Sequence, residues 1–269
     1  MLGASRESMA NLINALEARR SDPGISGLAA ELYQVADLLG REKSLRSALA
    51  DSGQSEASRR ALAEQLLGGR VGALAVQVAT DAVGRRWSED TDLVFALESL
   101  AAQAAFITAQ DNGSLDRAEE EIFRFGRAVD ASPELQMALT APASSVSTKA
   151  AIVNDLLGGR TAEVTGQVIS FAVGHLHGRR IDAVLSDLAE AAAGQRKRIV
   201  AIVRVARPLD AEQHERLASA LRRLTGREVR LNVAVDPSIL GGAHVTVGNE
   251  VIDGTVLSRL DQAKRALLG

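Results

Sequence analysis

The sequence predicts a mainly α protein: two repeated helical bundles followed by a small α/β C-terminal unit. Three observations carry this. A gapless self-match at an offset of 90 pairs residues 44–84 with 134–174 and gives 15 identities in 41 positions. Near residue 195 an Ala/Leu-rich pattern with helical spacing gives way to the β-branched run Ile199-Val200-Ala201-Ile202-Val203-Arg204-Val205. The charge balance changes at the same place: 11 Lys/Arg against 14 Asp/Glu in 1–109, 7 against 12 in 110–195, and 13 against 8 in 196–269. The expected domains are therefore 1–109, 110–195 and 196–269.

The repeat shows most plainly in Leu66-Leu67-Gly68-Gly69-Arg70, which returns as Leu156-Leu157-Gly158-Gly159-Arg160. A register kept over forty residues reads as duplication of one helical unit. Glu89 to Gln110 reads as one long helix joining the copies, with Asp111-Asn112-Gly113 as its stop. In the second copy Ser132-Pro133-Glu134 places an N-cap, an N1 proline and an acidic residue in order, a helix start. Gly158-Gly159 ends the helix that follows. The next, over 160–177, sets Val164, Val168, Phe171 and the Val173/Leu176 neighbourhood on one side. Its few charges are Arg160 and Glu163. Ile181, Val184, Leu185 and Leu188 repeat the pattern in its successor.

The tail has a different grammar. A strand over 198–206 is followed by Pro208 and by Asp210-x-x-Gln213, a capping-box-like helix start. That helix runs to Gly226 with Leu217, Leu221 and Leu224 on its buried side. A strand over 229–235 follows, then strands 243–247 and 250–252 around the hairpin pair Gly248-Asn249. A closing helix covers about 255–268.

Composition excludes more than it selects. With 269 residues, 46% of them hydrophobic and 24% charged, the chain buries a core, and wholesale disorder is excluded. The absence of cysteine removes disulfides, thiolate zinc sites and a cysteine nucleophile, and fits a reducing compartment. The Met1 end reads as free of a signal peptide. No span reads as approaching the roughly 20 apolar residues of a membrane helix; the longest candidate, Val71–Thr80, is uncharged but stops at Asp81, so a soluble chain is expected.

The search for chemistry is nearly empty. There is no phosphate-cradling loop with its lysine, and Gly241-Gly242 with Gly248 flank a strand rather than open a helix, so these glycines turn the chain. Of His175, His177, His214 and His244, only the first two are close. On a helix, positions i and i+2 point about 200° apart and cannot share a metal. Asp253 is expected to cap the last helix, and Glu119-Glu120-Glu121 to be a solvated face. No catalytic, cofactor-binding or metal residue is assigned, no cofactor is expected, and the chain reads as no enzyme. Residues 196–269 lack Phe, Tyr and Trp, so the basic tail offers no base-stacking platform and no nucleic acid is expected. Arg196-Lys197-Arg198 and Arg222-Arg223 suit an acidic protein partner or solvent.

The stretch Val235-Asp236-Pro237-Ser238-Ile239-Leu240-Gly241-Gly242-Ala243-His244-Val245-Thr246-Val247-Gly248-Asn249-Glu250-Val251-Ile252-Asp253-Gly254-Thr255, with Arg259-Leu260 beyond it, closely resembles the signature of the delta subunits of F-type ATP synthases. That family includes the mitochondrial oligomycin-sensitivity-conferring protein. Members often carry a basic residue at Thr246 and near Leu257-Ser258, which this chain lacks. Residues 110–269 match the usual plan, and 1–109 look like an added copy of the helical domain, as in long actinobacterial forms.

The resemblance implies a non-catalytic peripheral-stalk connector of a proton-translocating ATP synthase. It implies a helical domain that grips an N-terminal helix of an alpha subunit, and a C-terminal domain that holds a b-type stalk subunit. It implies one copy per complex with no homo-oligomer, located at the cytoplasmic face of the cell membrane and held there only through the complex. By connectivity the second copy is expected to grip the head, with Val164, Val168 and Phe171 facing an apolar partner. Copy one carries Asp81 at the position of Phe171, plus Arg85-Arg86. A generic helical-repeat scaffold and an RNA-binding adaptor are the alternatives.

Overall fold

The computed structural model describes residues 3–225, 228–236, 239, 241–247 and 250–253. Its contacts divide the chain into Met1–Gln195 and Arg196–Gly269.

The larger unit runs α1 (Ala4–Ala18), α2 (Ile25–Arg41), α3 (Lys43–Ala50), α4 (Glu56–Leu67), α5 (Ala73–Gly84), α6 (Asp90–Asp111), α7 (Leu115–Ala131), α8 (Pro133–Thr140), α9 (Val146–Leu157), α10 (Glu163–Gly174) and α11 (Ile181–Lys197). The repeat is kept to the residue: α2, α3, α4 and α5 reappear as α7, α8, α9 and α10, with each start and each end displaced by 90. The same shift carries α1 into the span of α6, and α6 onto α11. Helix α6 thus closes the first copy and opens the second. It packs on α1, α2, α3 and α5 on one side of the repeat and on α7 and α10 on the other. A single hydrophobic core accordingly runs from Leu12 to Ala192 without a break at residue 110.

This shared position explains the composition of α6. With neighbours from both copies around it, Leu93, Leu97, Leu100, Ala104, Phe106 and Ile107 are all fully buried, and a helix buried on every side must be apolar all round. At 22 residues it is long and apolar enough to cross a membrane by length and composition alone, and 78% of its apolar window is buried inside the unit. The sequence reading, which looked for a continuous run of apolar residues, missed it because Asp90, Asp92 and Glu98 punctuate the first half of the helix.

Local chemistry sets the helix ends. The Ser55 and Ser145 hydroxyls accept from the Ser58 and Thr148 amides, both at 3.1 Å, and Ser132 accepts from Leu135 ahead of Pro133. At the other end Gly69 and Gly159 take left-handed φ values of 72° and 69°, open to glycine at no steric cost. The helix expected over 160–177 is shorter. It stops at Gly174, and His177 adopts a left-handed φ of 51° in the turn that follows.

The smaller unit consists of β1 (Arg198–Val205), α12 (Ala211–Thr225), β2 (Glu228–Val235), β3 (Ala243–Val247) and β4 (Glu250–Asp253). The sheet order is β2-β1-β3-β4, with β1 parallel to β2 and antiparallel to β3. Alternate residues Ala201, Val203 and Val205 of β1 join Val229, Leu231 and Val245 against Ala218 and Leu221 of α12, the period-two pattern of a half-buried strand. Asp210 and Gln213 make the expected reciprocal cap, at 2.7 and 3.1 Å. The pairing of Val247 with Glu250 brackets Gly248-Asn249; that turn, the closing helix and the capping role of Asp253 lie outside the described residues.

One core assignment in this unit is corrected. Leu221 is buried, but Leu224 is 72% exposed. The buried face of α12 is centred between Ala218 and Leu221, and at 100° per residue Leu224 lies about 60° beyond Leu221, on the far side from Ala218.

Candidate functional site

In the second copy α9 and α10 lie side by side and leave a cleft of about 560 Å³ between them. Val146, Ala150 and Leu157 form the α9 wall and Gly166 and Ser170 the α10 wall, while Tyr33 and Phe171 close one end. A methyl group added at Gly166 would meet nothing within 4 Å, so the wall is open there.

The corresponding place in the first copy carries larger side chains. Arg60 stands where the second copy has Ala150, and Val76 where it has Gly166. The Arg60 guanidinium lies across Gly84, reaching Asp81 at 3.1 Å and Glu56 at 2.8 Å, and Arg19 of α1 reaches Asp81 at 2.7 Å. Partial burial opposes the charge on Arg60, but hydrogen bonds to Asp81 and Glu56 outweigh it and hold its pKa above the ordinary value. Two helical pairs with the same backbone plan therefore differ in surface: one carries an ionic seam, the other an open cleft.

The expected apolar face of α10 is placed differently from the sequence reading. Val168 is fully buried in the core and Val164 packs against it. Phe171 is covered on both faces, stacked on Tyr33 at 3.8 Å between ring centroids and on His175 at 4.0 Å. The groove lies about 100° further round α10, on the Gly166 and Ser170 side toward α9, with Phe171 at its edge. The carbonyl of Phe171 faces His175 Nδ1 at 2.9 Å, while His175 Nε2 lies 3.1 Å from Asp37 of α2. His177 and Arg179 meet the two oxygens of Glu98 at 2.7 and 2.9 Å, and Arg179 lies 4.5 Å over the Phe95 ring. The two histidines thus tie the second copy to α2 and α6. Among the described residues no group of side chains could hold a metal ion.

Burial and Glu98, in that order, push the Tyr33 hydroxyl well above its ordinary range, so it is protonated at any working pH.

Of the Glu119-Glu120-Glu121 run, Glu121 is no solvated residue. Its carboxylate accepts from the Ala162 amide at 2.9 Å, the Thr165 hydroxyl at 2.6 Å and Arg117 at 2.7 Å, capping the start of α10. Partial burial works against its charge, but these donors outweigh it and hold its pKa below the ordinary value. Glu31, 90 residues earlier, accepts from Gly72 at 3.0 Å in the same way. The signal was present in the repeat, which keeps a glutamate at both positions.

In the smaller unit a cleft of about 790 Å³ lies between α12 and the sheet, lined by Leu209, Leu217, Leu224 and Ala243 with Arg207 at its rim. His214 and Arg223 are exposed on α12. Arg222 lies 3.8 Å from Glu215, and His244 pairs with Arg204 across β3 and β1.

Residues 101–267 match the family model described as ATP synthase delta (OSCP) subunit; the match begins within α6, the helix shared by the copies. A protein from Streptomyces griseus subsp. griseus described as ATP synthase subunit delta is 43% identical over 271 residues, covering 100% of both chains. Proteins of the same description from Parafrankia sp. and Streptomyces coelicolor are 42% and 41% identical, the first covering 99% of both chains, the second 99% of this one and 98% of its own. These relatives span the first helical copy as well as the second.

Proposed function

The chain belongs to the ATP synthase delta (OSCP) family, and we propose that within the complex its second helical copy grips the catalytic head through the α9–α10 cleft. Its function is that of the delta subunit of an F-type ATP synthase: a structural, non-catalytic subunit of a multi-subunit complex, associated peripherally with the membrane through that complex. The finer reading names the partners. An N-terminal helix of an alpha subunit lies in the cleft, and the smaller unit holds the end of a b-type stalk subunit in the cleft beside α12. One copy serves each complex, on the cytoplasmic face of the membrane.

The observation that carries the head contact is the difference between the two copies. Where Arg60 and Val76 close the first, Ala150 and Gly166 leave the second open and partly apolar. An amphipathic helix needs a groove of this kind for its apolar face, and a groove already filled by a paired arginine offers none. The first copy then serves as a brace: its α2 supplies Tyr33 against Phe171 and Asp37 against His175 and so fixes one end of the cleft.

The test is binding of an alpha-subunit N-terminal peptide to the full chain. Ala150→Arg with Gly166→Val rebuilds the first copy's filling and weakens binding about tenfold or more, whereas Arg60→Ala leaves it unchanged. Unchanged binding to the first variant with loss in the second would move the grip to the first copy and overturn the assignment.

A further inference from the structure

We propose that the exposed face of α7 around Phe123 is a second docking surface, which takes one helix of another protein running parallel to α7, with an aromatic residue on Phe123 and a carboxylate one turn later on Arg127. The inference is separate from the α9–α10 cleft and rests on the repeat. Phe123 stands 90 residues after Tyr33, at the same place on the same helix of its copy. Tyr33 is 6% exposed and Phe123 is 59% exposed.

What covers Tyr33 defines what fits Phe123. Tyr33 lies on Phe171, and one turn later Asp37 meets His175. Both pairs step by four residues in the same chain direction, from Phe171 within α10 to His175 just past its end, and a partner helix that repeats this step follows α7 in the same sense. The same step on α7 leads from Phe123 to Arg127, which is exposed and has no ion pair among the described residues. The polar partner is inverted: Asp37 receives a nitrogen donor, and Arg127 in its place calls for a carboxylate. The intervening Arg124 is paired with Glu120 and does not compete for it.

A second copy of this chain does not supply that helix. Its Phe171 is already covered by its own Tyr33. The equivalent face of α5 would bring Asp81, held by Arg19 and Arg60, onto Phe123, and Arg85 onto Arg127, a like-charge contact. The array is therefore closed against itself at its first copy and open at its second, where it meets a different protein.

The test uses the purified ATP synthase complex with a photoreactive benzoylphenylalanine at position 123, and at exposed Gln65 as control. The expected result is cross-linking at 123, well above the control, to one helical segment that carries an aromatic residue followed four positions later by Asp or Glu. Arg127→Glu added to that variant lowers the yield about tenfold. Far-UV circular dichroism of both variants establishes that the bundle is intact. A yield no higher than at Gln65, a product with a second copy of this chain, a product with a segment lacking that pattern, or a yield unmoved by Arg127→Glu overturns the proposal. Loss of alpha-peptide binding in the cleft has no bearing on this readout, which reports on a different helix.

Discussion

Tyr33 lies flat on Phe171, ring centroids 3.8 Å apart and planes 22° from parallel, across 138 residues of sequence. A helix of the first copy thereby closes one end of a cleft in the second. The duplication is thus not two beads on a string: the copies share α6 and lock through this stack.

Removing the stack should loosen the whole larger unit. Tyr33→Ala deletes a buried ring and exposes Phe171, for a loss of about 3 kcal/mol. Urea denaturation of the full chain reads this as a lower midpoint. A change below about 0.5 kcal/mol, the scale of an ordinary surface substitution, would show that the copies do not depend on one another there.

Arg59 gives a second measurable case. It is 4% exposed and has no carboxylate partner among the described residues; its guanidinium instead donates to the carbonyls of Val83, Gly84, Arg85, Asp51 and Gln54 at 2.8–3.3 Å. The first three lie at the C-terminal end of α5, where a helix favours positive charge. Arg59→Ala leaves several carbonyls without donors and a cavity, a loss of about 3 kcal/mol. Arg59→Lys is not conservative here, since an ammonium has three donors in place of a planar five, and it loses about half as much. Thermal unfolding of both variants, ranked against wild type, checks the order.

Much of this was legible beforehand, and the reasons are local. Caps at Ser132 and Asp210, stops at Gly158-Gly159, and the alternation of β1 depend on neighbours a few residues away. The self-match at 90 carried the duplication. What it missed needed partners from elsewhere. Nothing near Phe171 announces that Tyr33 will cover it, and Leu224 shares a helical stripe with Leu221 yet is largely exposed. The closed state of the first copy was partly readable: Asp81 marks the polar side, and laying the copies over one another would have set Arg60 against Ala150 and Glu31 against Glu121. The sharing of α6 was readable by the same overlay, which extends past the aligned 41 positions.

The stop after α9 should tolerate change unevenly. A methyl group at Gly158 would meet the Asn154 carbonyl at 2.5 Å, a backbone atom that cannot move aside. At Gly159 the space is open, and only the left-handed φ of 69° resists a side chain. Gly159→Ala is therefore expected to cost about 1 kcal/mol, and Gly158→Ala more. Equal effects in thermal denaturation would mean that the turn relaxes around the clash.

Glu121 offers a prediction with a sign in pH. Its carboxylate holds the first amide of α10, the Thr165 hydroxyl and Arg117, and its pKa is held below the ordinary carboxylate value. A group depressed on folding contributes stability that is fully present above its unfolded pKa, about 4.3 for glutamate, and that is lost as pH falls through the lower folded value. Near neutral pH, Glu121→Gln keeps an acceptor for Ala162 but loses the charge, lowering stability by about 1 kcal/mol. As pH drops below the ordinary glutamate range, the wild-type carboxylate takes up its proton and loses the same advantage, so the difference between the two proteins shrinks toward zero. Urea midpoints of both, measured from pH 7 down to pH 3, report this directly. A gap that stays constant across that range would mean that the Glu121 contribution is one of shape rather than charge, and that the helix start of α10 does not rely on an ionised cap.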